Sequence, residues 1–267
     1  MVASSLTDVV VEVGDMPVRL ITRNAELAAL LQQRYAGFLG STAACAGEFE
    51  ISVVRPGEFD VEADLDVRVQ GDTWSFARGD FRAEWDTRTC RGWIEQAVNP
   101  YSVDAVLRIL HTLLLAPLGG FLLHAASGIR AGRASIFTGQ SGAGKTTIAR
   151  LAPAEVMLLT DEVSYVRKVD GRYLAFGTPF AGELGTSGMR VSAPVHAVYQ
   201  LAQGERHHME RLATSDAVRT LMKNILFFAD DNELTGQVLA TACDVAASVP
   251  VYRLTFAADA SVWDFIV

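Results

Sequence analysis

The sequence has few cysteines, and their spacing suggests neither a disulfide framework nor a zinc site. The 267 residues include only Cys45, Cys90 and Cys243, which lie far apart and form no Cys-x-x-Cys pair. An odd number of isolated thiols is typical of a protein in a reducing compartment, where free cysteines behave as small apolar side chains. We therefore expect three unpaired, buried cysteines.

The sequence also lacks a basic tract. It contains 23 Lys and Arg against 31 Asp and Glu, which gives a formal net charge of −8. A protein that holds a nucleic-acid backbone needs clustered Lys and Arg to neutralise the phosphates. We therefore expect no nucleic-acid partner.

An export signal and an uninterrupted apolar span are absent as well. Residues 1–8 contain no basic segment followed by an apolar one. The longest apolar stretch, residues 103–126, is broken by Asp104, His111 and Pro117, so we expect that it does not cross a bilayer as one helix. These features predict a soluble, cytoplasmic protein without a membrane partner, and they leave homo-oligomerisation open.

The first 98 residues have the pattern of a small β-rich α+β domain. Residues 9–22 predict two strands around a Gly-Asp turn, and residues 25–38 have the apolar spacing of a helix capped by Asn24. Short alternating runs over residues 49–96 predict an antiparallel meander.

The pattern changes at residues 99–267, where strands alternate with helices. This alternation indicates an α/β layer, which we predict forms a second domain. Its predicted elements include a helix at 102–115, a strand at 195–201, helices near 214–228 and 234–248, and a strand at 251–257.

A phosphate-binding loop is the strongest motif in the chain. Residues 139–146 read Gly-Gln-Ser-Gly-Ala-Gly-Lys-Thr and fit G-x-x-x-x-G-K-[ST] without a mismatch. The loop follows an apolar strand and precedes a helix, so its backbone N–H groups and the helix N-terminus are expected to face an anion. The predicted phosphate contacts are Gly139, Gln140, Ser141, Gly142, Ala143, Gly144, Lys145, Thr146 and Thr147.

The loop predicts ATP with Mg²⁺ as the ligand. Lys145 reaches the β- and γ-phosphates, and the Thr146 hydroxyl provides one Mg²⁺ ligand. Asp161 ends an apolar run sixteen residues after Lys145 and either binds Mg²⁺ or accepts a proton from an attacking hydroxyl. A solvated turn formed by Asp161 and Glu162 is the alternative.

His124 ends another apolar strand, twenty-one residues before Lys145. If that strand lies beside the strand that leads into the loop, His124 approaches the phosphates. A histidine satisfied within the core is the alternative.

Four segments together resemble the HPr serine kinase/phosphorylase family and its smaller bacterial relatives. They are Leu122-Leu-His-Ala-Ala, the loop through Thr147, Leu158-Leu-Thr-Asp-Glu, and Thr178-Pro-Phe-Ala-Gly-Glu. The likeness covers roughly residues 119–267. It implies a P-loop kinase domain of the HPr kinase and phosphoenolpyruvate carboxykinase type, with ATP as the donor and a serine hydroxyl as the acceptor.

The resemblance also implies roles for individual residues. Asp161 corresponds by position to the proton acceptor, His124 to an auxiliary active-site histidine, and Thr146 and Glu183 to Mg²⁺ ligands. The family carries a catalytic arginine, for which either Arg206 or Arg211 is available, and Arg211 is our candidate. The predicted catalytic set is therefore Asp161, His124, Lys145 and Arg211, and the predicted metal ligands are Thr146, Asp161 and Glu183.

These observations predict an ATP-dependent kinase acting on a serine of a protein or precursor peptide. A small-molecule kinase acting on a serine-like alcohol, an acceptor-free ATPase or switch, and a non-catalytic binding module are the alternatives. The glycine-rich segment 178–190 is predicted to form a mobile cover over the acceptor.

Overall fold

The computed structural model describes residues 6–41, 44–54, 64–228 and 230–266. The chain forms two compact units, of which the first comprises Met1–Leu110 with Phe228–Asn232 and the second His111–Phe227 with Glu233–Val267. The division falls within a helix that begins at Tyr101, shortly after the boundary predicted at residue 98.

Within the described residues, the first unit contains a mixed sheet of seven strands in the order β1-β2-β3-β7-β6-β5-β4. Its elements are β1 (Thr7–Val13), β2 (Met16–Thr22), α1 (Ala25–Arg34), β3 (Gly47–Val53), β4 (Asp66–Gln70), β5 (Thr73–Arg78), β6 (Phe81–Asp86) and β7 (Arg91–Gln96), followed by α2 (Tyr101–Leu115), which continues into the second unit.

The hairpin and the first helix follow the sequence pattern. β1 and β2 pair antiparallel around Gly14 and Asp15, both of which have positive φ, as a two-residue hairpin turn requires. α1 begins after Asn24, whose Oδ1 accepts the backbone N–H of Leu27 at 2.8 Å. α1 ends at Arg34, before the predicted limit of residue 38, and a short 3₁₀ turn follows.

The predicted meander is correct for β4 to β7 and wrong for β3. β4, β5, β6 and β7 pair antiparallel in sequence, whereas β3 is parallel to both β2 and β7. α1 supplies the crossover that a parallel β2–β3 pair needs. Alternating hydrophobicity marks a strand but does not specify its partner, which explains the error.

The helix α2 is rich in apolar residues. The Asn99 side chain accepts the backbone N–H groups of Tyr101 and Ser102 at its start. Within the described residues, the segment Tyr101–Leu118 is long and apolar enough to cross a membrane by length and composition, and 67% of it is buried in the protein. A core helix of a globular protein meets the same criteria, so this finding gives no support for a membrane span.

The described part of the second unit contains nine strands in one mixed sheet. Its elements are β8 (Gly120–Arg130), β9 (Arg133–Thr138), α3 (Lys145–Arg150), β10 (Met157–Thr160), β11 (Val163–Val169), β12 (Arg172–Phe176), β13 (Ser192–Gln203), β14 (His208–Arg211), α4 (Thr214–Asn224), β15 (Ile225–Leu226), α5 (Asn232–Ser248), β16 (Val251–Phe256) and α6 (Val262–Phe265).

The long strand β8 joins two groups of strands. Its first half pairs with β11 and β15, and its second half pairs with β9 and β10. β9 lies between β8 and β13, antiparallel to the former and parallel to the latter. β13 is parallel to β16 and also pairs with β12.

Helices cover both faces of the sheet, so the mixed α/β class holds for this unit. On β9, Ile136 packs in a core with residues of α4 and α5, whereas its neighbour Phe137 packs with α3 and α6. Val198 and Tyr199 on β13 divide in the same way. Successive side chains of a strand point to opposite faces, which explains this division.

Two smaller expectations are wrong. α4 ends at Asn224 rather than near residue 228, because Ile225 and Leu226 become extended and pair with β8. The three cysteines are free as predicted, but Cys243 is exposed and the other two are only partly buried.

Candidate nucleotide-binding site

The glycine-rich loop connects β9 to α3, in the order that the motif predicts. It covers residues 139–144, between the end of β9 and Lys145 at the start of α3. The N–H of Ala143 donates to the carbonyl of Gln140 at 3.0 Å, which forms a turn within the loop. Gln203, the last residue of β13, donates from Nε2 to the carbonyl of Gly142 at 2.6 Å. The neighbouring strand therefore fixes the loop from outside.

Gly144 occupies a position that only glycine fits without strain. Its φ is 105°, and an added Cβ would lie 2.7 Å from Cζ of Phe256. The backbone N–H groups of Ser141, Gly142 and Gly144 donate to no acceptor in the described part of the chain. The loop thus presents several unused donors, which is what an anion requires.

Lys145 is held over the loop by the loop's own carbonyl groups. Its side chain is largely buried, and Nζ donates to the carbonyls of Gly139 at 3.0 Å and Gln140 at 3.3 Å. An ammonium has three N–H donors, so one remains for a ligand. Burial lowers the pKa of Lys145 from its ordinary value, while the nearby carboxylates of Glu162 and Glu183 act in the opposite direction.

Strand pairing places His124 and Glu162 next to each other. His124 on β8 lies opposite Val163 on β11, and Ala125 donates its N–H to the carbonyl of Glu162 at 3.1 Å. Nε2 of His124 lies 3.8 Å from Oε1 of Glu162. This distance is too long for a hydrogen bond but suits an ion pair when the imidazole is protonated.

His124 is also connected to the loop. The Thr138 hydroxyl, at the end of β9, donates to the carbonyl of His124 at 2.9 Å. The strand that carries His124 therefore lies beside the strand that leads into the loop, which is the arrangement on which its predicted role depends.

Asp161 has different surroundings from Glu162. It is 4% exposed, and its two carboxylate oxygens accept the backbone N–H groups of Gly182 at 2.9 Å and Leu184 at 2.8 Å. An added Cβ at Gly182 would lie 2.8 Å from Oδ2 of Asp161 and 2.9 Å from Oε2 of Glu162. Asp161 therefore tethers the segment that carries Glu183.

The predicted cover segment, residues 178–190, is held at several further points. The N–H of Thr178 donates to the carbonyl of Leu159 at 3.1 Å, and the N–H of Gly188 donates to the carbonyl of Thr178 at 3.0 Å. An added Cβ at Gly188 would lie 1.7 Å from the carbonyl oxygen of Leu159. Mobility of this segment stays a prediction, and any opening has to break these contacts.

The loop opens into a cleft of about 720 Å³ in the second unit. His124 and loop residues 139–143 line one part, and residues of β13, α4 and β16 line the rest. The lining outside the loop consists of His124, Gln200, Leu201, Ala202, Lys223, Asn224 and Arg253. Its charged members, Lys223 and Arg253, are both cationic, although the chain as a whole is acidic.

The described residues around the cleft form no preassembled metal site. Among the described residues, no group of three or more His, Cys, Asp or Glu side chains is placed to hold a metal ion. Thr146, the predicted Mg²⁺ ligand of the loop, is partly buried and lies directly after Lys145 on α3. Mg²⁺ commonly binds through one or two protein groups together with phosphate oxygens and water, so a complete protein cage is not required.

One family model matches residues 97–267, which is more than half of the chain, and it describes the SynChlorMet cassette protein ScmC. The chain belongs to the ScmC family. All the loop and cleft residues described above lie within the segment that matches the family, whereas residues 1–96 lie outside it.

Other comparisons add little to the ScmC assignment. No curated protein matches the chain. The solved structures similar to it include the HPr(Ser) kinase/phosphatase from Coxiella burnetii, at 14% sequence identity and a TM-score of 0.27, covering 48% of this chain and 92% of that one. At this TM-score the likeness carries no argument about function.

Some of the predicted site residues of this ScmC family member line the cleft, and others do not. His124 and loop residues 139–143 line one cleft, and Lys145 closes the loop. Asp161 and Arg211 are not among the residues that line the cleft. Arg211 lies exposed on β14, opposite Tyr252. Sequence reasoning missed Lys223 and Arg253, because no local motif marks them.

Proposed function

We propose that the second unit binds ATP with Mg²⁺ on loop 139–146 and transfers the γ-phosphoryl group to a hydroxyl of the serine type. We further propose that its fold is of the HPr kinase and phosphoenolpyruvate carboxykinase type. The observation that carries the proposal is a loop with unused N–H groups, held beside the buried Lys145, that opens into a cleft which His124 also lines.

The loop has the hydrogen-bond donors and the positive charge that a polyphosphate requires, and the cleft beside it has enough room for one. The free N–H groups of Ser141, Gly142 and Gly144 and the remaining proton of Lys145 all require an acceptor. The cleft volume of about 720 Å³ lies within the range that protein ligands of this size occupy.

Thr146 and Glu183 are the proposed ligands of Mg²⁺. The Thr146 hydroxyl follows Lys145 on α3, and the Glu183 carboxylate is near enough to raise the pKa of Lys145 against the effect of burial. Bound with the phosphates, the ion would neutralise part of their charge. Asp161, whose two oxygens already accept N–H groups, supports Glu183 in this proposal by fixing the segment around it.

Glu162 is the proposed proton acceptor. Its side chain is one-third exposed and lies beside His124, and its carboxylate raises the pKa of Lys145 against the effect of burial. In the proposed step, the acceptor oxygen bonds to the γ-phosphorus, the bond to the β–γ bridging oxygen breaks, and the hydroxyl proton passes to Glu162. His124 orients the Glu162 carboxylate, while Lys145 offsets the charge of the phosphoryl oxygens.

A transfer assay with [γ-³²P]ATP tests the proposal. Serine-containing peptides, a phosphocarrier protein and free serine are supplied as acceptors, each with and without Mg²⁺. We expect Mg²⁺-dependent transfer to at least one hydroxyl acceptor. Hydrolysis that no acceptor accelerates would instead identify an ATPase or switch, and would contradict the assignment as a kinase.

A further inference from the structure

Within the described residues, two cationic side chains of the cleft have no acidic partner. Lys223 ends α4 and Arg253 lies on β16, and neither forms an ion pair in the part of the chain that the structure describes. Some exposed cations of the described chain are paired, as Arg219 is with Asp216 and Lys168 is with Asp244, and others, such as Arg150, are not. Lys223 and Arg253 differ from these because both line the cleft into which the loop opens. Unpaired cations that face one cleft of an acidic protein indicate a binding site for an anion.

Two polar amides accompany these cations. Gln200 on β13 lies opposite Arg253 on β16, and its Oε1 accepts a weak hydrogen bond from Nε of Arg253 at 3.4 Å. Asn224 follows Lys223, and its Nδ2 donates to the carbonyl of Thr220 at 2.8 Å. We call Gln200, Lys223, Asn224 and Arg253 the cationic wall.

The cationic wall is separate from the phosphate loop. Tyr199 and Leu201 on β13 pack on the α3 and α6 face, so Gln200 between them points to the face that α4 covers. Leu254 packs with the same α3 and α6 cluster, which places Arg253 on the α4 face with Gln200. The loop therefore lies at the end of β9, and the cationic wall lies on the α4 face beside it.

The composition of the wall suits an anion better than a nucleobase. Nucleotide bases are commonly held by apolar and aromatic side chains, whereas the apolar lining here is limited to Leu201, Ala202 and the loop residue Ala143. Guanidinium and ammonium groups bind carboxylates and phosphates through charge-assisted hydrogen bonds. In the proposed function, Lys145 and the loop N–H groups bind the triphosphate. The cationic wall is therefore available to bind a second anionic group.

We propose that the phosphoryl acceptor carries an anionic group of its own, a carboxylate or a phosphate, which binds Lys223 and Arg253 while the hydroxyl faces the loop. This inference rests on the proposed kinase function and narrows its substrate class. A hydroxy acid, a phosphorylated alcohol and a peptide with an acidic residue near its serine share this chemistry.

Calorimetric titration of inorganic phosphate into the full-length protein saturated with MgADP tests the wall separately from catalysis. We expect phosphate to bind to the wild type and to a control variant, Arg219→Gln, whose side chain lies on α4 but pairs with Asp216. The double variant Lys223→Gln/Arg253→Gln should bind phosphate about tenfold or more weakly. Its affinity for MgADP should stay within about threefold of the wild type, because Lys145 and the loop N–H groups are intact.

The outcomes separate this inference from the proposed function. If the double variant loses MgADP affinity as strongly as phosphate affinity, the wall binds the nucleotide and the inference is wrong. Normal MgADP binding without phosphate binding, or phosphate binding that the double variant keeps, also overturns the inference but leaves the kinase proposal intact. A wild type that binds no MgADP contradicts the kinase proposal itself.

Transfer assays then distinguish the sources of the anionic group. Glycerol, glycerate and glycerol 3-phosphate compare an uncharged alcohol with a carboxylate and a phosphate, and serine peptides with Asp or Lys neighbours test a peptide source. We expect a carboxylate- or phosphate-bearing acceptor to react faster than glycerol, with the advantage lost in the double variant. An equal rate for glycerol, or a preference for Lys-flanked serine, would contradict the inference.

Discussion

The adjacent carboxylates of Asp161 and Glu162 have different surroundings. Asp161 is buried and saturated by two backbone donors, whereas Glu162 is partly exposed beside His124. A proton acceptor needs access to the reacting hydroxyl. A carboxylate that positions a neighbouring segment instead has its oxygens occupied by backbone N–H donors. These surroundings favour Glu162 as the base and Asp161 as a positioning residue.

Conservative amide substitutions separate the two roles. Glu162→Gln should lower kcat by about two orders of magnitude or more and leave the free energy of unfolding nearly unchanged. Asp161→Asn should cost about 1–3 kcal/mol of stability, because an amide NH₂ would meet a backbone N–H donor. The measurements are steady-state transfer kinetics and urea unfolding of both variants. Wild-type turnover in Glu162→Gln would exclude it as the base.

His111 on α2 is a buried polar residue that the proposed mechanism does not use. It is fully buried, and neither ring nitrogen has a hydrogen-bond partner in the described part of the chain. Its ring contacts Tyr165 edge to face, with centroids 5.5 Å apart. Burial lowers the pKa of His111 to about 3 from its ordinary value of 6.5.

This lowered pKa predicts a dependence of stability on pH. The unfolded chain binds a proton at His111 as pH falls below about 6.5, whereas the folded chain does not until about pH 3, so stability falls across this interval. Between pH 7.5 and pH 5 the loss attributable to His111 should be about 2 kcal/mol. His111→Phe should remove that part in urea unfolding at both pH values. An identical loss in the variant would show that other groups cause it.

At the scale of elements, the phosphate loop depends on the strands beside it. Gln203 of β13 holds the carbonyl of Gly142, and the Phe256 ring of β16 lies where a side chain at position 144 would project. The loop conformation is therefore set by packing from two neighbouring strands as well as by its own glycines.

An alanine at position 144 tests this support. Gly144→Ala should weaken MgADP binding by about tenfold or more, because the residue meets both an unfavourable φ and the Phe256 ring. The matched control is Gly132→Ala at the other end of β9, where φ is 74° and nothing lies within 4 Å of the added Cβ. It should lower stability through backbone strain but leave MgADP affinity unchanged. Equal calorimetric affinities in both variants would contradict the role of Phe256.

The sequence predicted the positions of helices and strands more reliably than it predicted which strands pair. The β1–β2 hairpin, the strand, loop and helix around residues 139–146, and α2 all have local signals and are present as predicted. The parallel pairing of β3 depends on a crossover through α1, and the early end of α4 depends on pairing of β15 with β8. Such non-local pairings leave no trace in the periodicity of one segment.

The same distinction applies to the candidate site in the whole molecule. The loop is one contiguous motif, so its residues could be identified from the sequence, and His124 could be identified from its place at a strand end and from the resemblance. Lys223 and Arg253 come from a helix end and a distant strand, and only the folded sheet brings them to one cleft. The chain's net charge of −8 gives no indication of this cationic surface.

The central claim for the whole molecule is that the loop and Lys145 bind a nucleoside triphosphate. The most direct measurement is calorimetric titration of MgATP into the wild type, Lys145→Ala and the control Lys168→Ala, in which the lost lysine is exposed and pairs with Asp244. We expect saturable binding to the wild type and to Lys168→Ala, and about 100-fold weaker or undetectable binding to Lys145→Ala. Equal MgATP affinity in all three proteins, or no binding to the wild type, would contradict the account.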